Sequence, residues 1–324
     1  MVYLSILSAL LYVISALATP VIFDGRAPFS YTESGLNNSI DPYLTVVKGS
    51  ENASHYTALL GHSVLPTPLW NRRISPLLPG LTIPNEQVVA VSIDNSSVFL
   101  PGGTNPQFGF RRTDIIAQKG GSAANPHLVI PLIETGVTVF RFSIKSDPAR
   151  PLNYTHEYQI VFIEPNDGSH VFGIQLGSPF TNPTGVLPAL KAHSFKGLDH
   201  ALDVLFLTPF TTGDWHNFAV QVDWTNRTLA ILYSKNGNAL KAVTKAVPNL
   251  TTAAGSTGQG DFHFGVLKLP LVNPADTPAN QGDVVHHGIQ EGTTERLLYS
   301  GVFVEGVKND ISVGGEHTIH EISS

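Results

Sequence analysis

Two carboxylates in this 324-residue chain stand where acid–base chemistry needs them. In residues 155–163, strand alternation puts Thr155, Glu157 and Gln159 on one face and His156, Tyr158, Ile160 and Phe162 on the other. The apolar set belongs to the core, so Glu157 turns outward. Residues 171–176 place Gln175 opposite Phe172, Ile174 and Leu176 in the same way, and residues 110–116 put Phe110, Arg112, Asp114 and Ile116 on one face. Adjacent strands would then offer Glu157, Gln159 and Gln175 on one polar, concave sheet face. Arg112 beside Asp114 would hold that carboxylate ionised, while a pocketed Glu157 would keep its proton. Hydrolysis of a glycosidic bond needs such a pair: one carboxyl protonates the leaving oxygen, and the other activates water or attacks directly.

Other chemistries lack their residues. His156-Glu157 opens like a zinc-protease motif, but position 160 is Ile where the second histidine belongs. Gly61-His62-Ser63 continues as Val64-Leu65, which is no nucleophile elbow. No phosphate-binding or dinucleotide glycine loop occurs. With no cysteine, a disulfide framework, a thiolate zinc site and thiol catalysis are excluded. The tail Glu316-His317-Thr318-Ile319-His320-Glu321 has metal-ligand composition but reads as a solvated, frayed terminus. His286-His287 reads as a loop pair. No metal or cofactor is expected. The 19 Lys+Arg against 25 Asp+Glu are scattered and only 14% of residues are charged, which argues against nucleic acid or an anionic membrane and for a neutral, polar ligand.

The elements that must position these residues are strands. Residues 138–145 alternate, with Phe140, Phe142 and Ile144 on one face and Arg141, Ser143 and Lys145 on the other. The pattern returns in residues 158–163, 171–176, 218–224, 228–233, 262–267 and 297–304, and residues 21–26 read as a first strand running into a turn. Turn signals such as Pro165-Asn166-Asp167-Gly168 and Lys235-Asn236-Gly237 separate the runs. The one helical expectation is short, around residues 187–193 or 198–205. This predicts an all-β, single-domain jelly roll or concanavalin-like sandwich.

Residues 1–18 contain an apolar stretch, Leu4 to Leu17, too short to span a membrane, and end in the small-x-small pattern Ala16-Leu17-Ala18 of a signal peptide. The mature domain, residues 19–324, is therefore expected outside the cell and off the membrane. Six sequons, at Asn37, Asn52, Asn95, Asn153, Asn226 and Asn249, mark expected N-glycosylation at surface positions.

Four segments together resemble glycoside hydrolase family 131, a fungal secreted β-glucanase family with a β-jelly-roll catalytic domain. They are Phe108-Gly109-Phe110-Arg111-Arg112-Thr113-Asp114, Pro151-Leu152-Asn153-Tyr154-Thr155-His156-Glu157-Tyr158, Gly213-Asp214-Trp215-His216-Asn217-Phe218 and Asp261-Phe262-His263-Phe264-Gly265-Val266-Leu267-Lys268. The opening residues 21–26 and the closing Leu298-Tyr299-Ser300-Gly301-Val302-Phe303-Val304-Glu305 extend the resemblance over nearly the whole mature chain. It implies inverting hydrolysis of β-1,3-, β-1,4- and β-1,6-linked glucans by two carboxylates, which fall on Asp114 and Glu157, with Glu157 assigned as the acid.

One position departs from the family pattern, which has Glu where this chain has Asp114. Losing a methylene retracts the carboxylate by roughly 1.5 Å. An inverting pair works at roughly 6.5–9.5 Å, a window wide enough to absorb a small retraction.

Arg112, Gln159, Gln175, Trp215, His216 and His263 are the expected substrate-binding residues. Trp215 lies opposite the apolar set of its strand and would stack on a sugar ring, whereas Trp224 reads as core. His216 shares parity with Phe218, Val220 and Val222, so a core histidine is the competing reading. His263 shares a face with Gly265 and Leu267, which leaves room for a sugar. The loop His287-Gly288-Ile289-Gln290-Glu291 resembles a family segment near the cleft. The expected partner is a β-glucan met by a monomer. The alternative is a catalytically silent, lectin-like glucan binder. A concanavalin-like polysaccharide lyase would need a basic cleft, against which the low Lys+Arg count argues.

Overall fold

Period-two alternation, repeated between turns, builds this chain as strands. The computed structural model describes residues 19–70, 85–120, 129–180, 192–314 and 317–323, together with the backbone of residues 73–74 and 82–83. The expected signal peptide and most of the 187–193 segment lie outside the described residues. In chain order the strands are β1 (Val21–Asp24), β2 (Tyr43–Leu44), β3 (Thr57–Leu59), β4 (Arg73–Ile74), β5 (Thr82–Ile83), β6 (Val89–Ile93), β7 (Arg111–Ala117), β8 (Val137–Ser146), β9 (Glu157–Pro165) and β10 (Phe172–Gly177). They continue as β11 (Ser194–Asp199), β12 (Val204–Pro209), β13 (His216–Asp223), β14 (Thr228–Lys235), β15 (Lys241–Ala242), β16 (Val247–Pro248), β17 (Gly260–Lys268), β18 (Glu295–Gly306), β19 (Asp310–Gly314) and β20 (His317–His320).

Two antiparallel sheets face each other across one core. The larger runs β15-β14-β13-β8-β18-β6-β3, with β1 paired to β18 and β16 to β14; the smaller runs β12-β11-β10-β9-β17-β7-β2. Phe140, Phe142, Ile144, Phe218 and Val220 of the first sheet meet Ile160, Ile174, Phe262 and Phe264 of the second in a single apolar cluster. The architecture is the expected jelly-roll sandwich. Of the two helical expectations, the first is helical at Ala192 while its residues 187–191 lie outside the described residues, and the second is not met. Residues 198–205 are the end of β11, a turn and the start of β12, whereas helices form at Glu33–Asn37, Ala53–Tyr56, Ile130–Ile133 and Pro278–Gly282.

Several expectations about which residues face solvent are corrected. Arg141 is fully buried although its strand alternates, because the outer face of the larger sheet carries a further layer. Leu69, Ile311 and Val313 pack there against Val139, Ala219 and Leu232. Arg141 Nε donates to Glu305 Oε2 at 2.9 Å, a second guanidinium nitrogen bonds the Ser312 carbonyl, and the Trp70 ring lies 4.9 Å away. The tail is not frayed: β20 pairs with β19, and the Ile322 backbone bonds both ends of the Gln221 amide. Glu316 lies outside the described residues.

Trp215 is 4% exposed on the far face of the larger sheet, packed with Val88, Ala90 and Leu298. His216 is a core histidine between the sheets, wedged among Phe195, Phe210 and Tyr233, with Nδ1 2.8 Å from the Tyr233 hydroxyl. Asn249, expected at the surface, is 3% exposed; its Nδ2 donates to the Val171 carbonyl and its Oδ1 accepts from the His200 N–H. Asn153 is half-buried and donates to Glu291, while Asn37, Asn52, Asn95 and Asn226 are exposed.

Burial pushes the His216 imidazole down to about 4. The folded protein therefore holds it neutral at pH values where the unfolded chain, titrating near 6.5, binds a proton. Stability should fall as pH drops from about 6.5 to about 4, by about 3 kcal/mol from this group alone. Urea unfolding at pH 7 and pH 4.5 measures the drop, and His216→Gln should flatten it.

Arg141 and Glu305 are both buried, so Arg141→Met strands a carboxylate and should cost about 3–5 kcal/mol. Arg141→Met combined with Glu305→Gln should recover most of that loss in a double-mutant cycle.

Candidate active site

The smaller sheet has one face in the core and one face outside it, and register decides which side chains share the outer face. Gly265 pairs with Asp114 and Leu267 with Arg112 across β17–β7; Leu267 also pairs with Gln159 across β17–β9. Gln175 pairs with Gln159, and Gly177 with Glu157, across β9–β10. Arg112, Asp114, His263, Gln159, Gln175 and Glu157 are thereby gathered on one surface. Trp215 and His216 are not part of it.

Phe162 was expected in the core, but it lies on this outer face because β9 carries a bulge. Between the pairs Phe264–Val161 and Leu267–Gln159 the two strands advance by different numbers of residues, and Gln175 follows Ile174 directly where β9 has Ile160 between Gln159 and Val161. Ile160 and Val161 both point into the core, as does Ile163. Parity reverses there, so Phe162 and Glu164 turn outward.

Glu157 sits at one end of the face, held by neutral donors. Gln159 Nε2 reaches Oε1 at 3.0 Å and the Phe180 N–H reaches Oε2 at 2.7 Å. Lys196, on the neighbouring β11, donates to the Gly177 carbonyl; burial lowers its pKa while the Glu157 charge opposes the shift. Gly177 is fixed by close approach: at φ +78° a Cβ there would lie 1.8 Å from the His156 carbonyl oxygen.

Behind this end lies a brace. Lys268 Nζ bonds Glu291 and, at 2.6 Å, Glu295; His156 Nε2 is 2.9 Å from Glu291, and the Tyr158 hydroxyl bonds Glu295. Partial burial opposes ionisation of Glu291, but bonds from Lys268 and His156 prevail and bring its carboxyl down to about 2. Gln290 donates to the Gly109 and Lys268 carbonyls. The loop ending in Glu291 thus anchors the strand that carries Glu157.

Asp114 occupies a different environment. It is 1% exposed, and Arg112 Nε donates to its Oδ2 at 2.5 Å. The second arm of the same guanidinium reaches Glu164 Oε2 at 2.7 Å. His263 lies 3.4 Å from Asp114 and 3.7 Å from Glu164, stacked on Phe162, which stacks in turn on His170. Burial disfavours the Asp114 charge, yet the Arg112 cation more than compensates and holds the carboxyl below its ordinary range. Its Oδ1 is buried with no partner among the described residues.

The space over Gly265, read from sequence as room for a sugar, is taken by this carboxylate: a Cβ on Gly265 would lie 2.9 Å from Asp114 Oδ1 and 2.8 Å from Asp114 Cα.

Glu164, Phe162, His170 and Lys196 were missed from sequence. Glu164 had one signal, a carboxylate closing an otherwise apolar strand, but alternation continued from Glu157 would put it on the wrong face.

Asp114 lies level with Ile160, two strands away, and Glu157 comes three residues earlier. At ~4.8 Å between strands and ~3.3 Å per residue, the two Cα atoms stand about 14 Å apart on a flat sheet.

The family model for the glycoside hydrolase 131 catalytic N-terminal domain matches residues 21–309. Among solved structures, the chain is similar to the catalytic domain of a family 131 β-glucanase from Podospora anserina, with a TM-score of 0.63 and 20% identity over 91% of this chain and 98% of that one. It is also similar to the catalytic domain of a family 131 protein from Coprinopsis cinerea, with a TM-score of 0.59 and 23% identity over 91% and 97%. No curated protein matches. A match over nearly the whole described sandwich settles the family: the chain belongs to glycoside hydrolase family 131.

Proposed function

We propose that this protein is a secreted β-glucanase that cleaves β-1,3-, β-1,4- or β-1,6-linked glucan with inversion, using Glu157 as general acid and Asp114 as general base. The observation that carries the reading is two carboxyls on one sheet face in opposite environments. Asp114 is kept ionised by Arg112, and Glu157 is held by an amide and a backbone N–H, with no ion pair to it among the described residues. Glu157 would protonate the glycosidic oxygen as the bond to C1 breaks. Asp114 would take a proton from the water that attacks C1 from the other side of the ring.

Gln159 and Gln175 would hydrogen-bond sugar hydroxyls, with Arg112 and His263 orienting Asp114. The low overall charge suits a glucan, which has none to complement. Asn37, Asn52, Asn95 and Asn226 would carry glycans, and the buried Asn249 would not.

One observation favours a second reading, that of a silent, lectin-like glucan binder. Asp114 is shorter than the residue of the family pattern and almost wholly shielded, so a water has little access to it.

Hydrolysis of laminarin, mixed-linkage glucan and cello-oligosaccharides separates the two readings. Glu157→Gln and Asp114→Asn should each lower kcat by about 10²–10⁴, the first with little change in melting temperature and the second with a lower one, because it leaves the buried Arg112 cation with one carboxylate fewer. Asp114→Glu, restoring the methylene, should raise kcat. NMR of the first product should show the α-anomer. Activity that survives Glu157→Gln sinks the assignment, and binding by wild type without product establishes the lectin-like reading.

A further inference from the structure

The steps assigned to Glu157 and Asp114 leave a buried ammonium on the same face without a part. Phe195 of β11 points into the core, so Lys196 turns outward, opposite Gln175 of β10 and Leu207 of β12. Lys196 is 5% exposed, and its Nζ reaches past Gln175 to the Gly177 carbonyl. Gly177 is the residue that pairs with Glu157 across β9–β10. Three adjacent strands therefore deliver the ammonium to the end of the face where Glu157 lies, set back from it behind the Gly177 carbonyl.

An ammonium removed from water ordinarily touches a carboxylate, because a single neutral carbonyl does not offset its lost hydration. In this fold Arg112 is paired with Asp114, Arg141 with Glu305 and Lys268 with Glu295. Lys196 has no carboxylate in contact among the described residues, and the negative charge that acts on it is that of Glu157. The other neighbours are neutral: Gln175 and Gly177 on β10, Leu207 on β12, Gln159 on β9 and Leu267 on β17. The titratable groups near this end are engaged with one another. Lys268 and His156 bond Glu291, Tyr158 bonds Glu295, and Tyr154 lies on His193 with ring centres 4.0 Å apart. Arg112 stands beyond Leu267, held by Asp114 and Glu164.

A general acid ends its step as a carboxylate. The proton passes to the glycosidic oxygen, which takes the electron pair of the breaking bond to C1, and the negative charge stays on the acid. A cation nearby favours that final state over the protonated one. In direct contact it would empty the acid before substrate arrived; set back behind a carbonyl, it strengthens the acid and leaves it its proton. We propose that Lys196 is a positioning residue acting through Glu157, its ammonium stabilising the carboxylate left by proton transfer and so setting the upper pH limit of hydrolysis. This role rests on the reading of Glu157 as the general acid.

The test is the pH dependence of kcat/KM for wild type, Lys196→Met and Lys196→Arg, on whichever of laminarin, mixed-linkage glucan and cello-oligosaccharides wild type hydrolyses. Without the cation the acid holds its proton to higher pH, so in Lys196→Met the alkaline limb should rise by about one pH unit, a tenfold change in the proton equilibrium. The weaker acid should also lower the plateau kcat by about threefold to tenfold. Lys196→Arg keeps the charge and should leave the limb within about 0.3 unit of wild type. Lost packing alone would lower the melting temperature or kcat without moving the limb. A second readout needs no turnover: NMR titration of the Lys196 side chain in wild type and Glu157→Gln. Removing the carboxylate should lower the pH at which Lys196 loses its proton by about one unit. The proposal is overturned if the limb stays put in Lys196→Met, if Lys196→Arg moves it as far, if Glu157→Gln leaves the Lys196 titration unchanged, or if Lys196 in wild type is already neutral at the alkaline limb. Activity that survives Glu157→Gln, or wild type without product, removes the acid reading and this role with it. Activity lost in Glu157→Gln together with an unmoved limb in Lys196→Met sinks the role of Lys196 alone.

Discussion

A guanidinium taken out of water has to be neutralised where it lies, and much of the outer sheet face follows from that requirement. Arg112 is 7% exposed and binds Asp114 with one edge and Glu164 with another. The pairing fixes three strands at once, because Arg112 and Asp114 lie on β7, Glu164 on β9, and β17 between them must carry Gly265 to leave the carboxylate its space. The His263 ring fills the remaining gap on the Phe162 face. Asp114 is ionised and immobile as a consequence. Among the described residues Glu157 is hydrogen-bonded by neutral donors, with the Lys196 charge acting on it from β11, so two carboxyls on one surface are held differently.

The strands were legible in the sequence because alternation is a direct imprint of a sheet with one face in a core. It identified β8, β9, β10, β13, β14, β17 and β18 to within a few residues, and it set Arg112 with Asp114 and Glu157 with Gln159. It failed where two successive apolar residues both suit the core. Nothing in Ile160-Val161 announces an extra residue, so Phe162 was assigned to the wrong face, and the same alternation carried on to Glu164 would misplace it too. Arg141 was misread for another reason. Alternation distinguishes two faces but says nothing of what covers the second, and here a layer including Leu69 and Ile311 does. Parity put Trp215 on the face opposite the core, where it lies, but could not show that Val88, Ala90 and Leu298 pack against it there; for His216 parity pointed to the core against the resemblance. Asn249 shows the same limit for sequons, since the motif is local while burial is a property of the fold.

Glu157 and Glu164 are seven residues apart on one strand. In a regular strand an odd separation puts two side chains on opposite faces. Without the bulge, Glu164 would therefore point into the core, Arg112 would lose its second carboxylate, and the cation could not be buried beside Asp114 at the same cost. The residue that β9 carries in excess of β10 between Gln159 and Val161 is thus what allows an acid at one end of β9 and the partner of an ion pair at the other to serve the same surface. The brace formed by Lys268, Glu291 and Glu295 fixes β9 before the bulge, and the Arg112 pair fixes it after. A register slip at Ile160 would have to break one or the other, so the irregularity hidden from the sequence is also the feature most tightly constrained in the fold.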